Sequence, residues 1–152
     1  MTLKTPTKTL TAAALALAAP FAFASPALAG DCPSGKEMTN LLAAHPTMPK
    51  DVTDTVIGAI DLGSEIGVNG RELRTRRLVI QPGGIVPFHS HMGRPALIVT
   101  VSGSVTEYRS TCAVGIVHKA GDISREAGGI AHWWRNEGTE PAVLLSSDVF
   151  QR

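Results

Sequence analysis

The sequence lacks the length for a large catalytic architecture. Its 152 residues allow one compact domain and fall far below the roughly 250 of a typical (β/α)8 barrel. It lacks an excess of charge of either sign, with 18% charged residues and a formal net charge of +1. There is no basic excess for nucleic acid, and no Lys/Arg stripe beyond residues 71–77. It contains no internal repeat, no low-complexity linker and no phosphate-binding glycine loop. Cysteine is scarce, with two in the chain, Cys32 and Cys112. Glycine and proline, at 15 and 10 residues, stay below the level of a disordered chain.

The one long apolar stretch lies at the start. Lys4 and Lys8 precede an uncharged run of mostly Ala, Leu and Phe over residues 10–23, and Ala27-Leu28-Ala29 has the small-x-small pattern of a leader cleavage site. Residues 1–29 therefore read as a secretory signal peptide, with cleavage before Gly30. The run is short for a membrane span of about 20 residues and is broken by Pro20 and Pro26. The expected mature chain, 30–152, has 12 basic against 13 acidic residues and nothing that looks transmembrane. A periplasmic or secreted location follows. An even cysteine pair in an exported chain suggests a Cys32–Cys112 disulfide, with two free thiols as the alternative.

In the mature chain, residues 35–45 favour a short helix, capped by Ser34 and stopped by Pro46. From residue 56 onward the pattern changes to short apolar runs separated by Gly-containing turns, with strands expected at 56–62, 73–81, 96–101, 104–109, 115–119, 122–126, 132–136 and 142–150. No interval is long enough for repeated crossover helices, so the expected class is all-β, an antiparallel sandwich or barrel. The chain divides into 1–29 as leader, 30–55 as an N-terminal segment with the short helix, and 56–152 as the barrel.

His89 and His91 have the i,i+2 spacing that puts two side chains on one face of a strand. Two imidazoles on one face can share a metal ion at about 2.0–2.2 Å. His132 follows His91 by 41 residues, at the start of another expected strand, where an antiparallel fold can bring it alongside. His118 reads as a surface histidine or one that supports a ligand, rather than as a fourth ligand. His45, at the expected helix end, reads as helix-end electrostatics.

These residues resemble the two motifs of the cupin family. The first is present as Pro82-Gly83-Gly84-Ile85-Val86-Pro87-Phe88-His89-Ser90-His91, ending at Ser102-Gly103. The second is Gly121-Asp122, then Gly129, His132 and Asn136. The resemblance covers about residues 73–150 and implies an antiparallel double-stranded β-helix, or jelly-roll, barrel. It implies a divalent metal held by His89, His91 and His132, with iron or manganese slightly favoured and zinc, nickel or copper compatible. It leaves the chemistry open, because the family hosts many reactions. Two departures stand out. Ala96 occupies the position of the family's usual Glu, and Ala127 that of its usual Pro. A site of three neutral histidines implies a more positive bound ion, suited to an anionic or enolising substrate.

Three further residues complete the expected site. Glu107 is the carboxylate that could replace the missing Glu as ligand, base or acceptor for a ligand imidazole, or else face solvent beside Arg109. Arg94 can fork onto a substrate carboxylate or onto the chain's own Asp or Glu. Trp134 shares strand parity with His132 and can wall the pocket, while Trp133 faces the other side. Arg74 and Arg76 share parity with Leu78 and Ile80, so they lie at a barrel mouth or in a buried ion-pair network. Asn136 is expected to fix its turn through backbone hydrogen bonds. The expected function is a metal-dependent enzyme acting on a small oxygenated molecule, by dioxygenase, isomerase or lyase chemistry. The alternative is a non-catalytic metal- or ligand-binding module. The oligomeric state is left open, with a homodimer that protects exposed strand edges as one assembly such a barrel can form.

Overall fold

The structure, a computed structural model, describes residues 30–38 and 44–152. The leader segment and the centre of the expected 35–45 helix lie outside these residues. The described ends of that stretch are not helical: Ser34 and Gly35 form a turn, and Glu37 makes a bridge with Cys112.

Eight strands follow: β1 (Lys50–Asp61), β2 (Arg71–Ser90), β3 (Ala96–Ser102), β4 (Ser104–Arg109), β5 (Ile116–Lys119), β6 (Ile123–Glu126), β7 (Ala131–Arg135) and β8 (Ala142–Gln151). They form one antiparallel sheet in the order β5-β4-β7-β2-β8-β3-β6, with β1 added against β2. The sheet curls into a nearly closed barrel, the expected all-β architecture. The short helix of the described fold is α1 (Leu62–Ile66). It stands where a turn was expected, because Asp61 caps it by accepting from the Gly63 N–H and Gly67 ends it at φ 74°. No helix among the described residues is long and apolar enough to cross a membrane.

β1 begins at Lys50 rather than at residue 56, and β2 runs straight through the expected turn at residues 82–84. Both differences have one cause. Over residues 71–80, β2 pairs with β1 on one side and β8 on the other. Over residues 85–90 it changes partner to β7. The glycines make the corner between these halves. Gly83 has φ 74°. A Cβ at Gly84 would lie 2.7 Å from the Asp51 carbonyl oxygen and 2.8 Å from that of Gln81. The pair therefore bends a strand without ending it.

Alternation along β2 and β8 sets the interior rows. Leu78 faces Leu144, Arg76 faces Ser146 and Arg74 faces Asp148, and β3 continues the rows with Thr100, Ile98 and Ala96. Leu78, Ile80, Ile98, Val105, Trp134, Ala142 and Leu144 form the apolar core. Asn136 closes it by donating to the Ile80 and Glu140 carbonyls and accepting from Gly138 N–H, the local turn role expected of it. A Cys32–Cys112 disulfide ties the N-terminal segment to the turn after β4.

Candidate metal centre and its pocket

β2 and β7 carry the three histidines to one point. His89 and His132 face each other across the β2–β7 pair, and His91 follows the end of β2. His89 Nε2 lies 3.1 Å from His91 Nε2 and 3.1 Å from His132 Nε2. The opposite nitrogen of each ring has an acceptor. His89 Nδ1 donates to the Pro87 carbonyl at 2.8 Å, His91 Nδ1 to the Arg94 carbonyl at 2.9 Å, and His132 Nδ1 to Glu107 Oε1 at 2.7 Å.

These acceptors fix the tautomers, since a carbonyl or carboxylate oxygen can only receive a proton. In the neutral rings the protons sit on Nδ1 and the three Nε2 lone pairs converge, that of His132 also receiving the Trp134 indole N–H. Burial, reinforced by the neighbouring His132, pushes His89 down to about 4 and His91 down to about 3. Three acceptors that face one another make no hydrogen bond with one another; a cation satisfies all three, so the residues fit a divalent metal.

Glu107 stands behind His132, not among the ligand atoms. It is fully buried on β4. Oε1 accepts from His132 and Arg109, and Oε2 from Arg109 and His118, the last at 3.0 Å. Burial raises its carboxyl, but hydrogen bonds from His118, His132 and Arg109 outweigh that and hold it well below the usual carboxylate range. His118 is buried and supports Glu107, so the surface reading is corrected while the supporting role stands. Sequence reasoning missed Glu126. It is fully buried, lies directly opposite Ala96 across the β3–β6 pair, and brings Oε2 to 3.3 Å from His132 Nδ1. Burial, then the nearby Glu107 charge, raises its carboxyl. Ala96 is thus flanked in its row by two acids, Asp148 on β8 and Glu126 on β6. The acids absent at residue 96 enter the row from its neighbours, where Asp148 is paired with Arg74 and Arg94.

A cavity of about 240 Å³ opens beside His89, lined by Leu78, Val86, Ile98, Trp134 and Leu144 with Arg76, Arg94 and Asp54 among its polar groups. Trp134 is buried, and its indole Nε1–H donates to His132 Nε2 at 3.4 Å. Trp133 faces outward and stacks on Tyr108 at 4.1 Å, as alternation requires. Arg74 forks onto Asp148 at 2.8 and 3.1 Å, which resolves the conflict of inward arginines as a buried ion-pair network. Arg76 binds Asp54 and Ser146. Arg94 lies 3.5 Å from Asp148 and makes no side-chain hydrogen bond among the described residues. Burial, then the neighbouring Arg76, lowers its pKa. His45 lies outside the site and stacks on Phe88 at 3.9 Å.

The family model described as a cupin domain matches residues 76–148. Among curated proteins, the auxin-binding protein ABP19b of Prunus persica is 34% identical over 90 residues, covering 53% of this chain and 40% of its own length. Germin-like protein 5-1 of Oryza sativa subsp. japonica is 31% identical over 86 residues, covering 53% of this chain and 37% of its own. The chain thus spans about 40% of the length of these curated relatives. Among solved structures, the TT1209 protein from Thermus thermophilus matches with a TM-score of 0.52 at 18% identity, covering 65% of this chain and 83% of that one. That likeness is one of fold.

Proposed function

The chain belongs to the cupin family, and from that premise we propose that it is an exported metal-dependent enzyme acting on a small, oxygen-bearing, anionic organic molecule. The observation that carries this reading is the convergence of three Nε2 atoms whose rings are each held by an acceptor at Nδ1. His89, His91 and His132 would hold the ion, iron or manganese being favoured by the family resemblance and zinc, nickel or copper compatible with imidazole ligands. When bound, the ion supplies Lewis acidity or, as iron, access to dioxygen chemistry.

The chain's own residues do the rest. Arg94 and Arg76 present guanidinium groups to the cavity and hold a carboxylate or enolate oxygen. Arg76 is held by Asp54 and Ser146, which leaves Arg94, paired with Asp148 at 3.5 Å, as the guanidinium freer to meet a substrate anion. Trp134 and the aliphatic wall receive the apolar body of the molecule and keep water away from it. Glu107 holds the proton on His132 Nδ1 and so orients that ligand; it is a positioning residue. The disulfide and the leader-like segment 1–29 support an oxidising compartment, periplasmic or extracellular. β1, exposed along nearly its whole length, supports self-association as a homodimer.

A second reading, a ligand-binding module without turnover, is supported by the printed name of the Prunus persica relative. Metal analysis of protein from the exported fraction, followed by oxygen uptake and product analysis with small carboxylates, diketones and phenols, separates the two. Turnover that needs the stoichiometric ion supports the enzyme. A stoichiometric ion with ligand binding and no turnover supports the module.

A further inference from the structure

Behind His132 the buried network runs on to the backbone of Gly30. His132 Nδ1 donates to Glu107, and Glu107 Oε2 accepts from His118 Nε2 at 3.0 Å. In the neutral ring the proton shared with the carboxylate sits on Nε2, which makes His118 Nδ1 a bare acceptor. That atom is buried and has no hydrogen-bond partner among the described residues. A buried acceptor without a donor carries the cost of its lost hydration.

The neighbour of this atom is residue 30. A Cβ built on Gly30 would lie 3.3 Å from His118 Nδ1, 3.1 Å from His118 Cε1 and 2.7 Å from the Ile123 carbonyl oxygen. The Gly30 carbonyl also accepts from Arg109 Nη2 at 3.3 Å. The segment after it is lashed in place by the Cys32–Cys112 disulfide and by hydrogen bonds from Met38 N–H to the Thr111 carbonyl and from Ala113 N–H to the Lys36 carbonyl. The position therefore admits glycine alone, and it is the residue that follows Ala27-Leu28-Ala29.

We propose that cleavage of the Ala29–Gly30 bond is a maturation step of the metal centre: the α-amino group released at Gly30 becomes the hydrogen-bond donor to His118 Nδ1. Hydrolysis by a leader peptidase adds one water, leaving a carboxylate on Ala29 and an amine on Gly30. In the uncleaved chain the Gly30 nitrogen is an amide with a single N–H. The free amino group turns about the N–Cα bond and aims an N–H at the ring. The completed line runs from Gly30 through His118 and Glu107 to His132, so processing firms the orientation of a metal ligand from the far side. The inference rests on the export and metal readings above.

The test compares the exported, processed protein with a chain that keeps Ala29 as one extra residue. N-terminal sequencing of the exported protein is expected to begin at Gly30. In metal-free protein, the ¹⁵N resonance of His118 Nδ1 is expected to move toward a hydrogen-bonded acceptor in the processed form only. Manganese or iron(II) titration is expected to show about tenfold weaker binding for the extended form, the lower end of effects on supporting partners. In His118→Phe that difference disappears, as a coupled pair requires. An amino terminus elsewhere, or the same Nδ1 resonance in both forms, overturns the proposal. If neither form takes up a divalent ion, the metal reading fails, and the resonance comparison alone decides the role of Gly30.

Discussion

Glu107 holds more of the site's order than any one ligand does. Its two oxygens receive Arg109, His118 and His132, so one carboxylate sets a ligand's tautomer and closes a buried charge network. For Glu107→Gln, metal affinity is expected to fall 10–100-fold. Stability is expected to drop by about 3–5 kcal/mol, because Arg109 loses its buried partner. Titration calorimetry and thermal unfolding read the two effects separately. His89 and His91 give a pH dependence with a defined sign. Their folded values, about 4 and 3, lie below the ordinary 6.5, so between those limits the unfolded chain binds more protons. Stability of the metal-free protein should therefore fall as pH drops from about 6.5 toward 4, and the slope should flatten in His89→Ala. Denaturant melts across that range check it. The converging histidines were legible because i,i+2 spacing and strand parity are local. Glu126 was not, because its meeting with Ala96 depends on a cross-strand register that residue spacing does not encode.

At the scale of elements, β2 makes the site possible by serving both halves of the barrel. Its corner depends on Gly84, where a side chain meets backbone on two sides. Gly84→Ala is expected to destabilise the fold by about 1–3 kcal/mol, measured by urea unfolding. The turn expected at residues 82–84 became a bend because pairing with β7 resumes at Ile85. Turn residues mark where a chain bends, and partner strands decide whether it stops. β1 shows the converse. Val56, Ile57 and Ile60 are each about half exposed (51%, 55% and 51%), a row of apolar side chains on an unpaired edge. Light scattering is expected to give a dimer for the native chain and a monomer for Ile57→Lys, with the metal content unchanged.

At the scale of the whole molecule, a small barrel carries residues 30–38 against the turn after β4. The disulfide spans 80 residues of sequence. Its loss is expected to cost about 2–5 kcal/mol and to release residues 30–38 from the turn after β4, read as new hydrogen exchange at Cys112 and Ala113. The barrel was legible in the spacing of short strands and Gly-rich turns, and the family in two short motifs. The acidic row around Ala96 and the lining of the cavity were not, since both need β3, β6 and β8 laid side by side. The central claim is that three imidazoles hold one divalent ion. Elemental analysis of the exported protein beside His132→Ala tests it most directly. About one iron or manganese per chain, lost in the variant while the barrel still melts cooperatively, is the predicted result. A native protein without metal, or a variant that keeps its ion, would contradict it.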